Sequence, residues 1–356
     1  MRPILALLIG AAMLAPAGLA LAPLPSITTD PVLAFARQAD ALQAAQAGLA
    51  VPASLAVAPG APSGEALALL AQHGLAPTPA QVHALGVLDG SPAGPAVAGV
   101  LAAFAAFDSA ARVAEPGAVL AAREALLEAV LGLRATIRQV GLQALGPGLY
   151  APPALALEFA GVDSVYAVDI ALVLDAGGDD LYLNNAGGSN LANQQGCETF
   201  GDGAPRGAGA LADFAGADRY VSGRGGGING GGFLGAGFLV DFEGNDLYRA
   251  ANDATNGGGY VGVGLLLDVA GDDRFEAGGW GANGGGYPLG LGQLLDLEGD
   301  DAYTATFDAV NGGGRGGFGL LRDEAGLDWY WDQEGGTGWD VTVVPKEVAG
   351  AQVDHA

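Results

Sequence analysis

Apolar positions follow two different periods along this chain. In the stretch from Val113 to Gly141, Leu120, Ala121, Leu126, Leu127, Val130 and Leu131 recur at the intervals of one helix face. Pro116 lies near the start, and Glu124 and Glu128 precede Arg134 and Arg138. Thr78-Pro79 before Ala80-Gln81-Val82 has the form of a helix entry with proline in the first turn, and Gly74 the form of a preceding stop. The spacing predicts three to five helices over residues 23–149. His73 and His83 fall there without Cys or acidic neighbours, which places them as ordinary helix-surface or packed residues.

After Gly148 the helical period disappears and a repeat replaces it. Asp-x-x-Gly-x-Asp-x-aromatic starts at Asp175, Asp213, Asp241, Asp268, Asp296 and Asp323, in steps of 38, 28, 27, 28 and 27 residues. Each copy ends in a ring: Tyr182, Tyr220, Tyr248, Phe275, Tyr303 and Tyr330. Two positions before the first Asp stand Val173, Leu211, Leu239, Leu266, Leu294 and Leu321. Gly-x-Gly-x-apolar-x-Asp leads into five copies, whereas the first has Asp169 and Ala171 in place of the glycines. Asn-Gly-Gly-Gly starts at Asn229, Asn256, Asn283 and Asn311, and a fainter copy precedes the rest at Glu158-x-x-Gly161-x-Asp163.

A unit of 27 or 28 residues is too short for a propeller blade and lacks the helical spacing of α-solenoids, but it suits one coil of a parallel β-helix. Coils stack about 4.7–4.9 Å apart, so equivalent residues form files, and each coil is stabilised by its neighbours. Rings and aliphatics should line the interior. The alternate file Ala212, Val240, Leu267 and Leu295, interrupted by Arg322, is apolar and should be covered by the helical part or by a second subunit. The predicted fold class is α+β with segregated parts. A signal peptide spans 1–22, an Ala-rich helical domain 23–149, a Gly/Asp-rich β-solenoid of about six coils 150–332, and a C-terminal cap or tail 333–356.

Charge sharpens the picture. The chain carries 14 Lys+Arg against 39 Asp+Glu, a net charge of −25, which argues strongly against a nucleic-acid partner. The repeats hold most of it, with 26 acids and 7 bases between 151 and 331. Two stacked files of Asp repel by about 0.9 kcal/mol per adjacent pair even in water, so something must offset them. A hard divalent cation held by carboxylates, as Ca2+ is, would do so. Hydrogen bonds from turn N–H groups to the Asp side chains are the metal-free alternative. The ligand candidates are Asp175, Asp180, Asp213, Asp218, Asp241, Asp246, Asp268, Asp273, Asp296, Asp301, Asp323 and Asp328.

Gly244-Asn245-Asp246-Leu247-Tyr248, Gly271-Asp272-Asp273-Arg274-Phe275 and Gly299-Asp300-Asp301-Ala302-Tyr303 resemble the Gly-x-Asp-x-apolar half of the nonapeptide of RTX-type calcium-binding β-rolls. The resemblance implies Ca2+ between successive turns, with ligand roles for Asp180, Asp218, Asp246, Asp273, Asp301 and Asp328. It covers about five residues per unit, and the period here is three times the family's nine.

Other chemistry is sparse. Gly230-x-Gly232-x-x-Gly235 and its equivalents match a dinucleotide fingerprint, but no helix pattern follows them. No His lies between residues 84 and 354, which argues against His-dependent hydrolysis and zinc chemistry on the repeats. A carbohydrate-active β-helix enzyme, a polysaccharide lyase or hydrolase, is the rival to a structural or adhesive role. Its acids would sit in the irregular insertion Gly187 to Arg206, at Glu198 and Asp202 with Arg206. That insertion also holds Cys197, the single cysteine, so no intrachain disulfide forms. Arg2, an apolar run and Ala20-Leu21-Ala22 read as an export signal, giving a secreted, periplasmic or cell-surface location. The apolar run Pro95 to Phe107 is too short to span a bilayer. Self-association or a surface glycan or protein partner fits this reading, with no catalytic or cofactor-binding residues assigned.

Overall fold

The structure is a computed structural model that describes residues 30–52, 58–113, 115–142, 145–189, 207–222, 225–306, 311–332 and 353–355. Five helices come first among the described residues: α1 (Pro31–Ala47), α2 (Pro62–Gln72), α3 (Pro79–Asp89), α4 (Gly94–Val113) and α5 (Pro116–Val140). Their ends follow the chain's punctuation. Thr78 and Gln81 close a capping box on α3, and Gly74 takes φ +70 just after α2. The Glu115 carboxylate accepts from the N–H groups of Gly117 and Ala118 at the start of α5. The run from Pro95 belongs to a longer helix than the sequence pattern indicated. At 20 residues α4 has the length and apolarity of a membrane span, but it is a core helix with Phe104 and Phe107 fully buried.

A parallel β-solenoid follows. Its first sheet comprises β1 (Leu149–Ala151), β2 (Leu155–Glu158), β4 (Leu172–Asp175), β6 (Ala208–Asp213), β9 (Ala236–Asp241), β12 (Leu266–Asp268), β15 (Leu291–Asp296) and β17 (Phe318–Asp323). All its pairings are parallel except β1 with β2, which turns the end of this sheet antiparallel. The second sheet stacks β3 (Val165–Tyr166), β5 (Leu181–Tyr182), β7 (Arg219–Ser222), β10 (Leu247–Ala250), β13 (Arg274–Ala277), β16 (Ala302–Ala305), β18 (Trp329–Asp332) and β19 (Val353–His355). The third sheet is short, with β8 (Gly232–Phe233), β11 (Gly259–Tyr260) and β14 (Gly286–Tyr287), extended by a bridge from Gly286 to Gly314.

Among the described residues, complete three-faced turns number about four, not the expected six. A Cβ on Gly237 would stand 2.3 Å from the Gly231 carbonyl oxygen, so glycine is what lets the corner press against the strand. Ala171 occupies that file in the first copy, and residues 190–206 of the insertion after it fall outside the described residues. Register nevertheless survives the 38-residue step, since Val173 pairs with Leu211 and Asp175 with Asp213.

The files run as the repeat predicts. Neighbouring rings from Tyr166 through Tyr330 stack 4.7–4.8 Å apart with interplanar angles of 9° or less, and the aliphatic file from Val173 to Leu321 shares their buried cluster. Asn229, Asn256, Asn283 and Asn311 all adopt φ near +50 at a buried corner, where each amide donates to the next at 2.9 Å. The file stops at Ala186, which occupies the equivalent left-handed position and leaves Asn229 Oδ1 without a donor.

The helices cover the apolar outer file in cis. Ala212, Val240, Leu267 and Leu295 share one core with Phe104, Phe107, Leu120 and Leu127. Where Arg322 interrupts that file, its guanidinium lies 4.3 Å from the centroid of the Phe35 ring of α1. A buried polar cluster joins the two parts: Arg123 of α5 donates to Asp40, Gln293 and the Gly264 carbonyl, and Gln293 donates to Gln43.

Candidate metal centre

Each Asp-x-x-Gly-x-Asp segment turns the chain from the first sheet to the second, so its two carboxylates lie at a corner against the ring file. The first Asp of each copy, from Asp175 to Asp323, is at most 1% exposed. Its partner is a ring. Tyr166 donates to Asp175 at 2.5 Å, Tyr182 to Asp213 at 2.6 Å, Tyr220 to Asp241 at 2.5 Å and Tyr248 to Asp268 at 2.6 Å, always one coil onward. Phe275 cannot continue the series. Tyr303 is then shared between Asp296 and Asp323, at 3.2 Å each, and Tyr330 donates to Asp323 at 2.9 Å.

The second Asp of each copy holds the stack together through backbone bonds. Oδ1 of Asp218, Asp246, Asp273, Asp301 and Asp328 accepts the N–H of the equivalent Asp one coil earlier, at 2.6, 2.5, 2.6, 2.7 and 3.1 Å. Asp180 likewise accepts from Ser164 at 2.5 Å, so Ser164, one residue past the Asp163 of the faint copy, occupies this file. Tight stacking of the turns requires the intervening glycine. A Cβ on Gly244, Gly271 or Gly299 would stand 1.6–1.7 Å from the glycine carbonyl oxygen of the preceding turn.

These bonds use one oxygen of each second-file carboxylate and leave the other bare. Oδ2 of Asp180, Asp218, Asp246, Asp273 and Asp301, together with Oδ1 of Asp268 and Asp296, is buried with no hydrogen-bond partner. Among the described residues, carboxylate oxygens converge within 4.8 Å in five sets: Asp175/Asp180/Asp213, Asp218/Asp241/Asp246, Asp246/Asp268/Asp273, Asp273/Asp296/Asp301 and Asp301/Asp323/Asp328. All twelve sequence candidates fall in these sets. Ca2+ bonds to oxygen at about 2.3–2.6 Å, so oxygens within 4.8 Å of one another can share an ion, and a hard all-oxygen donor set suits it.

Burial is the first cause of a rise above the usual 3.8 in the eleven of these acids from Asp175 to Asp323. Asp180 and Asp241 rise to about 6, Asp175 and Asp301 to about 7, Asp218, Asp273 and Asp323 to about 8, and Asp246 to about 12. Neighbouring carboxylates add to the rise at Asp218, Asp246 and Asp323, while the Tyr220 hydroxyl offsets part of it at Asp241. A buried carboxylate file of this kind can hold either protons or cations.

The pairing of Tyr hydroxyls with the first Asp file is the part that sequence reading missed. The available signal was the ring column itself, which is Tyr in five of six copies where Phe would stack equally well. Replacing Phe275 with Tyr should supply the absent donor to Asp296 and release Tyr303 to Asp323. The ring neighbours on either side already carry hydroxyls in the same register. We expect a gain of about 1 kcal/mol or more in urea unfolding, and a loss would show that the hydroxyl file does not match the carboxylates.

His73 is half-buried at the end of α2 and His83 is exposed on α3, in keeping with their ordinary reading. Glu198, Asp202, Arg206 and Cys197 lie outside the described residues. Gly230, Gly232 and Gly235, the dinucleotide look-alike, belong to the corner and the third sheet, with no helix after them. No protein family, curated protein or solved structure matches the chain.

Proposed function

We propose that this chain is an exported structural or adhesive β-solenoid that binds Ca2+ inside its stack of turns. The observation that carries the reading is the convergence of buried, unpartnered carboxylate oxygens in five sets along the stack. An ion in each set would supply positive charge where stacked carboxylates otherwise repel, and would bond the bare oxygens that hydrogen bonds leave over. The ligands would be the twelve Asp residues from Asp175 to Asp328. Metal here would stiffen a rod rather than activate a substrate, since carboxylate sets recur along the stack where a catalytic site is normally a single irregular place. Export fits the leader-like composition of residues 1–22. Self-association or a surface glycan or protein partner completes the proposal.

One observation favours a second reading. The raised carboxyl groups allow the two Asp of a copy to share a proton, which would neutralise the files without metal. The two readings separate when protein is refolded from urea at about pH 8 with EDTA or with excess Ca2+ and then melted. Ligation confined to the folded state raises the melting temperature with ion concentration. Equal melting temperatures in EDTA and Ca2+ would leave proton sharing as the account.

A further inference from the structure

Resting on the calcium reading, we infer that the ion file is filled while the coils stack and is sealed by folding, so that only its C-terminal set exchanges in the folded protein. Three observations point this way. First, the ligand residues from Asp175 to Asp323 are at most 2% exposed, and their bare oxygens have no access to solvent, whereas Asp328 is only half-buried. Second, the walls cannot part slightly. Successive turns meet so closely at Gly244, Gly271 and Gly299 that a single methyl group does not fit between them, and the stacked rings close the inner side at 4.7–4.8 Å. A hydrated ion is far larger than either gap. Third, the four sets from Asp218 to Asp328 share ligands in a chain: Asp246, Asp273 and Asp301 each belong to two. An inner ion that left would strip a carboxylate's charge partner from the set beside it.

The set Asp301/Asp323/Asp328 differs from the others. Gly326 meets the Gly299 carbonyl as tightly as the inner glycines meet theirs, but Asp328 follows a turn whose residues Glu324 to Leu327 are all exposed, so an ion there reaches water past the last turn without separation of the coils. Bound calcium should thus fall into two kinetic classes: one ion that chelator removes from the native protein, and four that leave only as the stack opens.

The test uses full-length protein refolded from urea in excess Ca2+, desalted, and then held in excess EDTA while retained calcium is measured by elemental mass spectrometry. One ion in five should leave in a fast phase. The remainder should leave no faster than the protein unfolds, at a rate that rises with added urea in step with tryptophan fluorescence. Asp328→Asn should remove the fast phase and keep the slow one. Loss of all five ions in one fast phase in native buffer would overturn the sealed file while leaving calcium binding intact. Absence of retained calcium at the start, with no rise in melting temperature, would instead overturn the calcium reading itself.

Discussion

Replacing Gly271 with alanine should destabilise the protein by about 3 kcal/mol or more, because it forces strain into a closely packed stack. The new methyl would lie 1.6 Å from the Gly244 carbonyl oxygen, which is backbone and cannot rotate away. Relief would require the two turns to separate. That would pull the Asp246 N–H away from the Asp273 carboxylate, now 2.6 Å apart, and part the ring pair Tyr248 and Phe275, stacked at 4.8 Å. The cost is steric rather than conformational, since Gly271 does not have a left-handed backbone. Gly99→Ala is the matched control. Nothing lies within 4 Å of a Cβ there, in the interior of α4, so helix propensity should make the change neutral or stabilising by up to about 1 kcal/mol. Urea unfolding of the two variants measures both effects, and equal stabilities would contradict the close stacking of the turns.

Without metal, stability should fall as pH rises from about 4 to about 8. The direction follows from the raised acids. Below the ordinary carboxyl value of 3.8 both folded and unfolded chains hold these protons, so the shift contributes its full stabilisation there. At higher pH the unfolded chain releases protons that the folded one retains, and each retained proton costs about 1.4 kcal/mol per pH unit until the folded group also ionises. Asp241 reaches that point at about 6, Asp175 at about 7 and Asp218 and Asp273 at about 8, so the decline should steepen above pH 4 and ease as these groups ionise. Most proteins with salt-bridged carboxylates show the opposite slope over this window. Saturating Ca2+ should flatten the profile, because the ion replaces the protons. Melting in EDTA across pH 4–8, with and without added Ca2+, checks the claim. A metal-free protein that becomes more stable toward pH 8 would show that the acids are already charged and compensated.

The parts that were legible in the sequence are those a strict period determines. Once 27 residues made a coil, the Tyr220, Tyr248, Phe275 and Tyr303 rings had to align, and the file through Val240 and Leu267 had to be covered. Corner geometry was not legible. Period alone does not say that Asp213, Asp241 and Asp268 turn inward to meet a Tyr hydroxyl of the neighbouring coil, a contact between residues 20 to 31 apart in sequence. Local offsets were equally hidden. Ser164 replaces Asp163 in its file because the faint copy carries one extra residue before its ring, and Ala186 ends the Asn file although no motif marks it. The buried Arg123–Asp40–Gln293 cluster joins segments far apart in sequence and has no local signature.

An anomalous difference map from crystals grown in Ca2+ tests the central claim most directly. Five peaks should lie in a row inside the solenoid, each within bonding distance of one carboxylate set, from Asp175/Asp180/Asp213 to Asp301/Asp323/Asp328. A map with no interior peaks, and with paired Asp oxygens close enough to share a proton, would contradict it.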